Sequence, residues 1–240
     1  MIRHSVVALL LISVLLPNAR AQTEKTEAVD AKGYGWRIQG SYMDEALRRS
    51  GDVRNGLLAY EVCAACHLPS GAGRADGTFP QFAGQHATVL IKQIADIRDG
   101  RRDNPKMYPF VATLTDPQEV ADVAAYISSL CIPANNGRYE GRDAVQQATR
   151  GKALYGQACV SCHGRSGEGD KENFYPVLAG QHYRYLLRQM RDIREGRRHN
   201  AKPEMTKLIG QFSDGDLVAI SAYIANLAIR DSMCKRDAKK

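Results

Sequence analysis

The chain has 240 residues, with 33 Lys and Arg against 26 Asp and Glu and a formal net charge of +7. Beyond one apolar stretch at the N-terminus no segment could span a bilayer, and the remaining residues suffice for two small domains rather than one large one. The basic surplus falls to +5 without residues 1–21, too little to argue for a nucleic-acid partner.

Residues 1–21 are expected to be a cleaved signal peptide. Arg3 and His4 precede an apolar run from Val6 to Leu16, Pro17 breaks it, and Ala19 and Ala21 supply small residues at a cleavage site. The run is short for a hydrocarbon core of about 30 Å, so a membrane anchor is the weaker reading. The mature protein is then expected to begin near Gln22, in the periplasm. Residues 22–50, with the single Trp36, read as an N-terminal extension without an assigned role.

Residues 51–131 and 148–234 read as two copies of one domain, with 132–147 as a Pro-, Asn- and Gly-containing linker and 235–240 as a tail. In the first copy a short helix over 56–61 leads into Cys63-Ala-Ala-Cys66-His67, and the second repeats this over 151–157 before Cys159-Val-Ser-Cys162-His163. Gly-rich turns come after them at 70–77 and 164–169. Next come Phe79-Pro80-Gln81-Phe82-Ala83-Gly84-Gln85-His86 and Tyr175-Pro176-Val177-Leu178-Ala179-Gly180-Gln181-His182, at an offset of 96. A helix is expected over 87–99, where Leu90, Ile94 and Ile97 recur at helical spacing, as do Leu186, Met190 and Ile193. Asp99-Gly100-Arg101-Arg102 and Glu195-Gly196-Arg197-Arg198 end it, and loops carrying Met107 and Met205 come next. Asp116, with Pro117 behind it, and Asp214 are expected to cap closing helices that run to Leu130 and Leu227. No strand pattern stands out, so the fold is expected to be all-α.

The CxxCH motif is the attachment signature of c-type haem. Two cysteines one helical turn apart each form a thioether to the porphyrin, and the adjacent His faces the iron. Cys63, Cys66, Cys159 and Cys162 are thus expected to bind two covalent haems c, with His67 and His163 as iron ligands. Zinc would need its CxxC pairs together in one site, and here each repeat holds one pair with a His attached. Haem would also supply the large apolar centre that domains this small and poor in aromatics lack.

Five methionines lie beyond the signal peptide: Met43, Met107, Met190, Met205 and Met233. Met190 replaces Ile94 on an apolar stripe and reads as core. Met43 and Met233 have no counterpart in the other copy. Met107 and Met205 lie 40 and 42 residues after their haem histidines, each seven before the matched Leu114 or Phe212. They are the expected sixth ligands, with His86 and His182 as the rivals, otherwise expected on the surface or beside a propionate. Pro203 and Glu204 account for the longer second loop. The Pro80 and Pro176 region is expected to supply a backbone carbonyl that orients each haem histidine. Cys131 and Cys234 remain, and in an oxidising compartment they suggest a disulfide, with free or intermolecular thiols as the alternative.

These strings, in this order and twice over, resemble the cytochrome c4 family of dihaem class I cytochromes c. The resemblance covers about residues 52–230. It implies two tandem class I cytochrome c domains related by a pseudo-twofold axis and His/Met ligation at both irons. It also implies electron transfer in the periplasm, from the quinol–cytochrome c oxidoreductase side to a terminal oxidase. With both axial positions filled the iron has no open site, so the chain is expected to be a carrier and not an enzyme. The alternatives are a dihaem enzyme acting on sulfur compounds and a haem subunit of a dehydrogenase docked through the Trp36 segment. Peripheral membrane association and a monomer or weak dimer are compatible with the carrier. Residues 22–131 sum to −2 and 132–240 to +7, an asymmetry that can orient encounter with a charged partner.

Overall fold

The computed structural model describes residues 41–233. Residues 1–21, expected as a signal peptide, Trp36 and Cys234 lie outside them. The helices are α1 (Tyr42–Arg48), α2 (Val53–His67), α3 (Ala87–Arg98), α4 (Tyr108–Val111) and α5 (Pro117–Ser129) in the first repeat. The second has α6 (Ala144–Ala158), α7 (Val160–His163), α8 (Tyr183–Arg194), α9 (Pro203–Ile209) and α10 (Asp214–Ile224). Among the described residues the only bridge is an isolated Asp170–Tyr175 pair, so the all-α expectation holds.

Each repeat is built on one close helix crossing, α2 on α5 and α6 on α10. Gly56 and Gly151 stand at equivalent places on these crossings. A Cβ at Gly56 would run into the Asp122 carbonyl, and one at Gly151 into the Ala219 carbonyl. Only glycine lets the backbones approach this far, and the crossing fixes the helices that carry the CxxCH motifs. Tyr60 and Tyr155, both fully buried, then donate their hydroxyls to the Leu68 and Gly164 carbonyls at 2.6 and 2.7 Å, holding each motif's exit.

One core joins Tyr60, Leu90, Ile91, Val120, Val123 and Ile127, and another joins Tyr155, Leu186, Met190, Ile193, Leu217 and Ile220. Met190 is thus core, as its spacing indicates. Part of the stretch read as an extension belongs to the first core. Ser41 caps α1 by accepting from the Asp44 N–H, and fully buried Met43 and Ala46 pack into the cluster between α3 and α5. Tyr42 donates to the Leu114 carbonyl, and the Arg98 guanidinium lies 4.0 Å from its ring centre.

Several local expectations change. The helices before the cysteines are longer than expected, and α6 begins at Ala144, inside the stretch read as linker. Asp116 does cap α5, accepting from the Gln118 N–H at 2.8 Å. Asp214 does not cap α10. Ser213 does, in a reciprocal capping box: its hydroxyl accepts from the Asp216 N–H, and the Asp216 carboxylate accepts from the Ser213 N–H. The second repeat has one more residue between its Tyr and first Cys, and there the helix breaks at Cys159 into α6 and α7, whereas α2 runs unbroken.

The repeats meet through reciprocal bonds. The Gln85 side chain donates to the Val177 carbonyl and accepts from the Val177 N–H, at 3.0 and 2.8 Å. Gln181 does the same to Gln81, at 2.6 and 3.1 Å. Gln93 Oε1 accepts from Arg102 and Arg198, and Gln189 Oε1 accepts from the same two arginines. Each partner maps onto its counterpart at the offset of 96, which is what a twofold relation between the copies requires.

Candidate functional site

Each candidate centre begins at the C-terminal end of a CxxCH helix. The four cysteines Cys63, Cys66, Cys159 and Cys162 are all half-buried there.

His67 is 4% exposed and His163 7%. His67 Nδ1 lies 3.0 Å from the Pro80 carbonyl, and His163 Nδ1 3.2 Å from the Pro176 carbonyl. A carbonyl only accepts, so each Nδ1 carries the proton and each Nε2 keeps its lone pair. Burial lowers both histidines, His67 to about 4, with the proline carbonyl opposing, so both rings are neutral. His67 Nε2 is buried without any hydrogen-bond partner. An orphaned ring nitrogen of this kind, with the other nitrogen tied to a carbonyl, is what an axial ligand requires.

The chain segment between CxxCH and the proline must fold back sharply to deliver that carbonyl. Gly73 and Gly169 allow this with φ of 64° and 67°, and their N–H groups bond the His67 and His163 carbonyls at 3.0 and 2.9 Å. The Phe82 ring stands 4.2 Å and the Phe79 ring 6.0 Å from the His67 ring. In the second repeat Tyr175 takes the place of Phe79, 6.0 Å from His163, with Lys202 Nζ 4.3 Å from its own ring centre.

Met107 and Met205 are both half-buried, and Met205 packs against the second core. Met107 lies just ahead of α4 as its N-cap, as a loop residue would. Met205 does not lie in a loop. It is the third residue of α9, because Pro203 opens a helix there, with Glu204 favouring its first turn. The two extra residues of this copy thus lengthen a helix. Among the described residues no three His, Cys, Asp or Glu side chains cluster as a metal site.

His182 is not a surface residue, and His86 is half-buried. His86 Nε2 lies 2.9 Å from the Glu168 carbonyl and His182 Nε2 2.8 Å from the Ala72 carbonyl, each reaching into the other repeat. His182 is 2% exposed, and its Nδ1 accepts from the Gly137 N–H at 3.0 Å. With both ring nitrogens bonded, His182 is an inter-repeat clamp, and burial pushes its pKa below the ordinary value. The Lys92–Asp96 ion pair, at i and i+4 on α3, is buried, and its carboxylate also accepts from Asn200 of the second repeat at 2.7 Å. Cys131 is disulfide-bonded, while Cys234 lies outside the described residues.

The family model for cytochrome c matches residues 53–131 and again 148–228. A cytochrome c4 of Pseudomonas aeruginosa is 35% identical over 188 residues, which cover 74% of this chain and 90% of that protein. The chain belongs to the cytochrome c4 family. A crystal structure of reduced cytochrome c4 from Pseudomonas stutzeri superposes with a TM-score of 0.65 at 30% identity, covering 74% of this chain and all of that one. A protein of Stutzerimonas stutzeri named a thiosulfate dehydrogenase electron acceptor is 35% identical over 177 residues, 71% of this chain and 81% of its own. As a cytochrome c4, the chain is a dihaem electron-transfer protein with two covalent haems c and two tandem cytochrome c domains; it is a carrier rather than an enzyme.

Proposed function

We propose that the protein is a periplasmic, high-potential electron carrier that passes electrons one at a time between respiratory proteins. In this reading Cys63 and Cys66 hold the first haem and Cys159 and Cys162 the second. His67 with Met107, and His163 with Met205, are the axial pairs. When bound, each haem supplies a one-electron Fe(III)/Fe(II) couple, and a methionine ligand favours the reduced state.

The observation that carries this reading is the His67–Pro80 pair, repeated at His163–Pro176. The carbonyl fixes the tautomer and ring orientation, so the ligand nitrogen need not rearrange between oxidation states. The Phe79 and Phe82 rings beside His67 help to keep it buried from water. Both contribute to a small reorganisation on electron exchange.

The donor is expected on the quinol–cytochrome c oxidoreductase side and the acceptor is a terminal oxidase. Export rests on the signal-like residues 1–21, and no helix among the described residues is long and apolar enough to cross a membrane. A Cys131–Cys234 bridge would tie the end of the first domain to the C-terminus. A second reading makes a thiosulfate-oxidising dehydrogenase the donor, favoured by the similarity to a protein named as such an acceptor.

A redox titration of the holoprotein with carbon monoxide present tests the carrier. Two reversible one-electron steps, with no carbonyl complex in the reduced form, support it. Rapid carbon monoxide binding by one haem would show an open iron and overturn it. Thiosulfate plus its dehydrogenase, offered beside a quinol oxidoreductase, separates the two donors by which one reduces the haems.

A further inference from the structure

The outer face of α2 leaves large apolar side chains in water. Leu58 is 64% exposed and Val62 54%. Leu58, Val62 and Ala65 stand at i, i+4 and i+7, so they form one stripe, opposite the buried Gly56, Tyr60 and His67. The stripe ends beside Cys66, the second thioether position. In the other repeat the same places hold Ala153, Gln157 and Ser161, all exposed, so the stripe belongs to the first domain alone.

A shallow groove opens beside Leu58, at the N-terminal end of this stripe. Asn55, Leu58 and Ala59 of α2 form one side, and the N-cap Asp116 with Gln118, Glu119 and Asp122 of α5 line the other, with no Lys or Arg in the lining. On α2 itself the exposed charges are Arg54 and Glu61. The first half of the mature chain is also the acidic half, at −2.

We propose that this face of α2 and its groove form the docking surface for one redox partner, a protein whose own redox centre lies beside an apolar patch flanked by Lys or Arg. Covering Leu58 and Val62 supplies non-directional attraction. The accessible Asp116 and Glu119 carboxylates of the groove set the partner's charge and orientation, whereas Asp122 is buried and accepts from the Asp52 N–H and the Gln118 side chain. A stripe this narrow gives a small interface, and small interfaces suit encounters that must release after one electron. Position beside Cys66 brings the partner to the attached edge of the first haem. The proposal rests on the carrier reading of the protein.

The holoprotein can be tested on gold electrodes coated with a mixed methyl- and ammonium-terminated thiol monolayer, against a carboxylate-terminated one. Leu58→Asp with Val62→Asp is expected to slow interfacial electron transfer on the methyl/ammonium coating by about tenfold or more, whereas Ala153→Asp with Gln157→Asp leaves it within about twofold. Leu58→Ser with Val62→Thr, expected to slow it in the same direction, guards against misfolding, which an unaltered haem spectrum also checks. Equal rates for wild type and the Leu58/Val62 variants, or an equal loss from the second-repeat pair, would overturn the proposal. So would a wild-type dimer in sedimentation, or binding to phosphatidylcholine–phosphatidylglycerol vesicles, that the Leu58/Val62 substitutions abolish. A wild type with no reversible response on either coating would refute the carrier reading instead.

Discussion

The Gln85 carboxamide holds both backbone groups of Val177, accepting from its N–H at 2.8 Å and donating to its carbonyl at 3.0 Å. Gln181 treats Gln81 the same way from the other repeat. Gln85→Leu and Gln181→Leu keep the volume and strand two buried backbone groups each. Each is expected to lower stability by about 2 kcal/mol, read as a shift of the urea midpoint. A shift under a few tenths of that would mean water replaces the amide.

His182 makes docking of the repeats sensitive to acid. Its Nδ1 accepts from Gly137 and its Nε2 faces the Ala72 carbonyl, so only the neutral Nε2–H form fits. Burial lowers its pKa below the ordinary 6.5, opposed by the Ala72 carbonyl and Asp76. The unfolded chain therefore takes up the proton first. Stability is full above pH 6.5 and falls as the pH drops below it. His182→Gln, which does not titrate, should show a flatter urea midpoint between about pH 7.5 and 5 than the wild type. Parallel profiles would remove His182 from the acid response.

Gly151→Ala tests the helix crossing. The added Cβ meets the Ala219 carbonyl, so α6 and α10 must separate. A loss of about 3 kcal/mol is expected, seen as earlier thermal unfolding of the second haem domain. Gly156→Ala, where a Cβ meets nothing within 4 Å, serves as the control and should be harmless.

Leu68 leaves α2 with φ of 65° and ψ of 155°, a conformation the second repeat gives to Gly164 at 78° and 163°. That region suits glycine, and holding another residue there costs of order 1–3 kcal/mol. Leu68→Gly is therefore expected to raise stability by about 1 kcal/mol after the entropy of the unfolded glycine is counted. An unfolding midpoint that falls instead would show that the Leu68 side chain contributes packing that outweighs the strain.

Much of the design was legible because it is local or repeated. The two CxxCH strings, the turn to Pro80 and Pro176, the Met190 stripe and the Asp116 cap all arise from spacing within one repeat. What escaped depends on contacts across the duplication. Gln85-His86 and Gln181-His182 bond to residues some 82 to 110 positions away, and no local pattern encodes that. Their recurrence as an Ala-Gly-Gln-His string was the available signal. The helix at Tyr42–Arg48 was hidden for another reason: seven residues with a Ser cap are weak by propensity, and the buried Met43 and Ala46 hold it in place.

Axial ligation is tested most directly by the weak far-red sulfur-to-iron charge-transfer band of the oxidised holoprotein. The wild type is expected to show the intensity of two methionine-ligated haems. Met107→Ala and Met205→Ala should each remove about half of it, and the double variant all of it. A band unchanged in Met205→Ala would contradict the assignment of the second iron, and its absence from the wild type would contradict both.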